Sequence, residues 1–269
     1  MPYRCSGCQH AFPLFHLSCP DCGAWNSFQN QSSRVSPEDP HPVALADMAS
    51  APSPRITSNI GPLDLLLGGG FVPGSSILLI GTPGAGKSTL VLQLLRKSKV
   101  KSLYVSGEES VQQLKLRADR LKINSPGIFL LFETNVSKII PHVETCRPAI
   151  LVIDSIQTLY SDASESIPGG PAQIRKCSYL LRRSAQEKGF ILILVGQVTK
   201  GGRAAGPKLL EHAVDVVLYL EEPEGNGAER ELYLSKNRFG STIPRCRLRM
   251  GERGLEFLGR RPPGRDEGR

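Results

Sequence analysis

No run of 18 or more apolar residues occurs in this 269-residue chain, so no segment reads as a transmembrane helix. The opening residues, MPYRCSGCQH, lack the apolar stretch of a secretory signal. No internal repeat recurs at a fixed period. These absences predict a cytoplasmic protein with no membrane partner. In that compartment the seven cysteines do not read as a disulfide framework. What is present fits an ordinary globular protein: 40% of residues are hydrophobic and 22% charged. The length suits one sizeable α/β core plus a small appendage.

The net charge of +8 favours polyanionic partners such as nucleic acid, though many basic proteins bind none. Eight Arg and Lys face three Glu between Arg230 and Arg260. A strip of that kind suits phosphates, and it equally suits a solvated surface of alternating strands. Charge alone does not choose between them.

Three regions follow one another. Residues 1–30 are cysteine-rich, and residues 31–55 are rich in Ser and Pro and read as a linker. From 56 to 258 short apolar strands alternate with amphipathic helices, and a basic tail occupies 259–269. Strands are expected at 76–80, 102–106, 128–132, 149–153, 190–196 and 214–220. Helices are expected at 87–97, 111–121, 136–146 and 172–188. Such alternation predicts a mainly parallel sheet with crossover helices. The stretch 231–258 alternates without a helical period, which predicts antiparallel strands at the sheet edge.

Cys5-x2-Cys8 and Cys19-x2-Cys22 form two knuckles separated by ten residues. Two thiolates per turn complete a tetrahedral four-sulfur zinc site. Four ligands leave no open position, so the expected role is structural. A region this small cannot build an adequate core, and the metal would supply folding free energy on the order of 10 kcal/mol. Gly7 and Gly23 suit the tight backbone. His10 and His16 are not needed as ligands.

The segment Gly81, Thr82, Pro83, Gly84, Ala85, Gly86, Lys87, Ser88, Thr89 follows an apolar strand and opens a helix, the context a P-loop requires. Glycines let successive N–H groups curl around a phosphate, and the helix N-terminus adds its dipole. Lys87 should reach the β- and γ-phosphates of ATP, and Ser88 should bind Mg²⁺. ILVIDS at 150–155 carries Asp154 to the carboxyl end of its strand, where it would hold the same magnesium ion. Glu108 and Glu109 end another strand. Glu108 is favoured as the base that activates water, with Glu109 as neighbour or substitute; both also suit the start of a helix. Gln197, after a further buried strand, can sense the γ-phosphate. Beyond it, Lys200, Arg203 and Lys208 lie in a basic loop able to meet DNA phosphates; the alternative is a plain surface loop.

Taken together, CSGC…CPDCGAWNS, GPLDLLLGGG, GTPGAGKST, YVSGEES, VIDSIQTLY, GQVTKGG, AGPKLLEH and SKNRFG resemble the bacterial RadA family, also called Sms, over residues 1 to about 258. The resemblance implies a RecA-like P-loop ATPase of DNA repair and recombination. It implies a hexameric ring driven by ATP along single-stranded DNA, branch migration of recombination intermediates, and a recombinase partner. Carried over, Lys236 and Arg238 would act in trans on a neighbour's γ-phosphate, a role that contributes about 10³–10⁵ in rate elsewhere. Gln197 stands where the family commonly has His, and Phe15 and Leu17 replace its usual Trp and Gly. The family's C-terminal Lon-protease-like domain is expected to be absent. A KaiC-like ATPase that remodels proteins is the alternative, against which the zinc module and the KNRFG stretch argue.

Overall fold

A computed structural model describes residues 3–12, 18–25, 28–30, 44–47, 54–198, 207–223 and 227–261. The chain divides into two compact units, Met1–Pro52 and Ser53–Arg269. In the first, β1 (Tyr3–Cys5) pairs antiparallel with β2 (Ala11–Phe12) and with β3 (Phe28–Asn30). Of the stretch read as a linker, a single 3-10 turn at Leu45–Asp47 is described, together with the lead into the second unit. The tail beyond 261 lies outside the described residues.

The second unit opens with a short helix, α1 (Gly61–Leu66), whose Leu63 and Leu66 are buried. Then follow β4 (Ser76–Gly81), α2 (Lys87–Ser98), β5 (Ser102–Ser106), α3 (Val111–Arg120), β6 (Ile128–Phe132), α4 (Val136–Cys146) and β7 (Ile150–Asp154). After α5 (Pro171–Lys188), β8 (Ile191–Gln197) and β9 (Val216–Glu221), the described residues close with β10 (Glu229–Asn237), β11 (Arg245–Gly251) and β12 (Gly254–Arg261). All these strands form one sheet of order β12-β11-β10-β9-β4-β8-β7-β5-β6. From β9 to β6 neighbours run parallel, and β10 to β12 extend the β9 edge antiparallel.

Strands β4 and β7 are buried at every position because helices cover both faces. Side chains alternate between two cores. Ile77, Leu79, Ile150, Val152, Ile191 and Ile193 meet α1, α2 and α3. Leu78, Ile80, Leu151, Ile153, Leu192 and Leu194 meet α4 and α5. Local signals set the helix ends. Ser110 and Gln113 close a capping box on α3, Asn135 caps α4 through the Ser137 N–H, and Gly189 stops α5 in the left-handed region.

The expected alternation and antiparallel edge are observed, with small shifts: β7 and β8 start one residue late and β9 starts at Val216 rather than at 214. At the β9–β10 pairing, Leu234 faces Leu218 while Lys236 faces Val217, so Ser235 is an unpaired bulge residue.

Candidate functional site

Sheet register brings the carboxyl ends of four strands level. Gly81 pairs with Gln197, Asp154 with Val195, and Ser106 with Asp154. Chain leaving β4, β5, β7 and β8 therefore converges on one cleft of about 350 Å3. It is lined by Pro83, Gly84, Gly86, Lys87, Ser88, Thr89, Glu108, Asp154 and Gln197, together with Arg117 and Arg120 of α3. All the residues expected to handle the chain's own ATP line it except Gly81, Thr82 and Ala85, whose backbone completes the same loop.

Lys87 is buried, and its Nζ donates to the carbonyls of Gly81 at 2.9 Å and Thr82 at 2.8 Å. Burial lowers its pKa, while Asp154 and Glu108 act to raise it. Asp154 is buried and accepts from the Tyr104 hydroxyl, and the Ser88 hydroxyl acts to lower its pKa. Burial raises the pKa of both Asp154 and Tyr104. The pairing of Ser88 with Asp154 fits the hard-oxygen donor set that magnesium takes beside a triphosphate.

Two adjacent glutamates are told apart by their partners. Glu109 is tied to the Arg117 guanidinium. Glu108 is exposed to the cleft, accepting from the Ser155 hydroxyl at 2.5 Å and from Gln197 Nε2 at 3.1 Å. Gln157 in turn donates to the Gln197 carbonyl at 3.0 Å. Gly107 is needed for this turn, since a Cβ there would lie 2.0 Å from Thr158 Oγ1. Sequence reading missed Tyr104 and Ser155, whose contacts join β5 and β7 across about fifty positions, and Arg117, which turns back from α3 to Glu109 just before that helix.

Lys236 and Arg238 are not brought to this cleft. Lys236 Nζ donates to the carbonyls of Glu211, His212 and Val214, and Arg238 pairs with Asp215 at 3.2 Å. Asp215 accepts from the Ser76 amide and hydroxyl at the amino end of β4. That strand separates the two groups by about 17 Å. Lys200 and Arg203 lie outside the described residues, as does the side chain of Lys208. The basic strip is not uniform: Arg230 is buried, Arg245 pairs with Glu231 and covers Tyr233, and Arg247 and Arg249 are exposed.

In the first unit the sulfurs of Cys5, Cys8, Cys19 and Cys22 all lie within 4.8 Å of one another. Cys5 and Cys22 are 3.6 Å apart, as are Cys8 and Cys19. A tetrahedral zinc ion with Zn–S of about 2.3 Å sets sulfurs about 3.8 Å apart, so the donor set fits zinc. The knuckles are alike: the Gln9 amide donates to the Cys5 carbonyl and the Gly23 amide to that of Cys19. Gln9 and Gly23 take the equivalent left-handed position. Gly7 gives the sulfurs room and donates its amide to Cys5 Sγ at 3.3 Å. His10 faces Asp21 instead of the sulfurs; His16, Phe15 and Leu17 lie outside the described residues. Cys5→Ala is expected to lower zinc content below one ion per chain against a mild chelator, with ATP binding intact; metal analysis of the purified variant checks this. One zinc retained per chain would refute the ligand set.

Residues 41–203 match a family model described as an AAA domain. The DNA repair protein RadA of Bacillus subtilis (strain 168) is 41% identical over 268 residues, covering 94% of this chain and 58% of that protein. RadA of Pseudomonas aeruginosa is 40% identical and that of Aquifex aeolicus 41%, again over 94% of this chain and over 58% and 59% of theirs. The chain thus spans less than two thirds of the length of these relatives. A crystal structure of a KaiC-like protein from Pyrococcus horikoshii superposes with a TM-score of 0.64 at 23% identity, covering 78% of this chain and all of that one. At that identity the likeness bears on the fold alone, and it agrees with a RecA- and KaiC-like core. No helix among the described residues is long and apolar enough to cross a membrane.

Proposed function

The chain belongs to the AAA-domain family and, within it, to the RadA group of DNA repair proteins; from that premise we propose a DNA-dependent ATPase that moves along single-stranded DNA and acts on branched recombination intermediates. The observation that carries the reading is the convergence of Lys87, Ser88, Asp154, Glu108 and Gln197 on one cleft.

Each residue has a defined task. The P-loop amides and Lys87 bind the β- and γ-phosphates. Ser88 and Asp154 would hold magnesium, which would supply neutralisation of the phosphate charge. Glu108, exposed to the cleft and held by Ser155 and Gln197, orients the attacking water and takes its proton. Glu109 is committed to Arg117 and leaves that task to its neighbour. Gln197 touches the base and begins the segment leading to Lys200, Arg203 and Lys208, so it can relay the state of the γ-phosphate to DNA contacts.

Lys236 and Arg238 sit at the far end of β4 from their own P-loop, which supports service to a neighbouring copy in a ring. Lys236 is occupied by three carbonyls of its own chain. Arg238, half exposed and held by one carboxylate, is the better fitted of the two to reach across. A ring, a cytoplasmic location and a recombinase partner belong to the same proposal.

ATP hydrolysis is expected to rise when single-stranded DNA is added at low salt. That stimulation should fall steeply as salt increases, because phosphate contacts release counterions. Steady-state ATPase assays across a salt series check both. Hydrolysis indifferent to DNA at low salt would refute the DNA motor and favour an ATPase that remodels proteins.

A further inference from the structure

One buried cation beside the cleft has no part in the chemistry above. Arg230, in β10, is 6% exposed. Its Nε donates to the Ala85 carbonyl at 3.0 Å, and Nη1 donates to the carbonyls of Gly227 at 2.8 Å and Glu229 at 2.6 Å. Nη2 lies 3.6 Å from the Glu222 carboxylate. A planar guanidinium supplied with acceptors on several sides is held in one orientation.

Ala85 lies inside the P-loop. A trans peptide is planar, so the Ala85 carbonyl and the Gly86 N–H point in opposite directions. Holding that carbonyl on Arg230 turns the Gly86 N–H the other way, toward the cleft that Gly86 lines. Gly86 itself gives no such hold. Its φ is 102°, and glycine enters and leaves such conformations readily. Nor does a stiffer residue suit the position, because side chains rarely adopt a φ in that range. With the carbonyl released, the peptide is free to turn and present an oxygen to a phosphate in place of a donor.

We propose that Arg230 is a positioning residue for nucleotide binding, clamping the Ala85–Gly86 peptide so that the loop offers its N–H to phosphate. The proposal rests on the P-loop being the ATP site. It concerns how the cradle is kept in shape, and β10 enters the binding site through it.

The test compares the full parent chain with Arg230→Met and Arg230→Lys. A fluorescent ATP analogue with magnesium gives Kd, and steady-state ATPase gives KM and kcat. Arg230→Met is expected to raise Kd and KM about 10- to 100-fold with kcat within a few-fold, the pattern of lost uniform binding. Arg230→Lys keeps the charge without the planar fork and should fall between the two. Hydrogen exchange at 85–87 should quicken in Arg230→Met while the β10–β11 amides stay protected, a split that general destabilisation does not produce. A folded Arg230→Met variant with parental Kd overturns the clamp. Should that variant fail to fold, Arg230→Lys decides, and a parental Kd there overturns it equally. A parent chain that takes up no ATP refutes the phosphate site itself, so the two failures are distinguishable.

Discussion

Lys87→Ala is expected to cut ATP turnover by about 10²–10³-fold or more, the scale on which a preorganised donor stabilises developing negative charge. The ammonium is buried at the mouth of the loop, and burial already disfavours its charge. Asp154 and Glu108 act against that effect and favour the charged form. Alanine removes it with little cost to the fold. The Gly81 carbonyl still accepts from the Val198 amide at 3.3 Å, and the strand carrying it stays paired on both sides. Weaker ATP binding should accompany the lost turnover, whereas the thermal midpoint should hardly move. Rapid hydrolysis by this variant would remove the cleft from consideration as the reacting site.

Glu108→Gln should separate binding from chemistry. Glutamine keeps the shape and can still meet Ser155 and Gln197, but it takes no proton from water. Turnover is expected to fall about 10²–10⁴-fold, the usual contribution of a positioned general base. Affinity for ATP should be retained, because Glu108 does not belong to the phosphate cradle. Glu109→Gln is the matched control: its partner is Arg117, so the change should cost only a few-fold in turnover. Single-turnover hydrolysis measured beside equilibrium binding distinguishes the two. If Glu109→Gln proved the more damaging, the assignment of the base would have to be exchanged.

Most of the large unit could be read from sequence because its signals are local. An apolar strand meeting a glycine-rich turn fixes the P-loop, and a uniformly apolar strand ending in Asp154 fixes the second half of the site. The short helix α1 escaped because six residues with Gly and Pro at their head show no period. Tyr104 escaped for another reason: within SLYVS it looks like a core aromatic. Only the adjacency of β5 and β7 brings its hydroxyl to Asp154. Arg230 and Asp215 were hidden in the same way. Each is a charged residue in an apolar setting, and its partner is more than a hundred positions away along the chain. Long-range pairing of polar groups leaves no periodic trace in a sequence. The choice between Glu108 and Glu109 was open because adjacent acids look alike in a sequence, and it rests on which of them Arg117 of α3 occupies.

Ser235 carries a constraint that residue identities alone do not express. Along β10, Leu232 and Leu234 face the core beneath α1 and α2, and strict alternation would send residue 236 the same way. The extra residue reverses the count, so Lys236 and Arg238 emerge on the opposite face, beside Val214 and Asp215. Regular pairing of this strand, with Ser235 counted into the ladder, would turn a lysine in among leucines and withdraw the arginine from any neighbour, even with every letter of the basic motif intact. Spacing here is as much a part of the message as spelling.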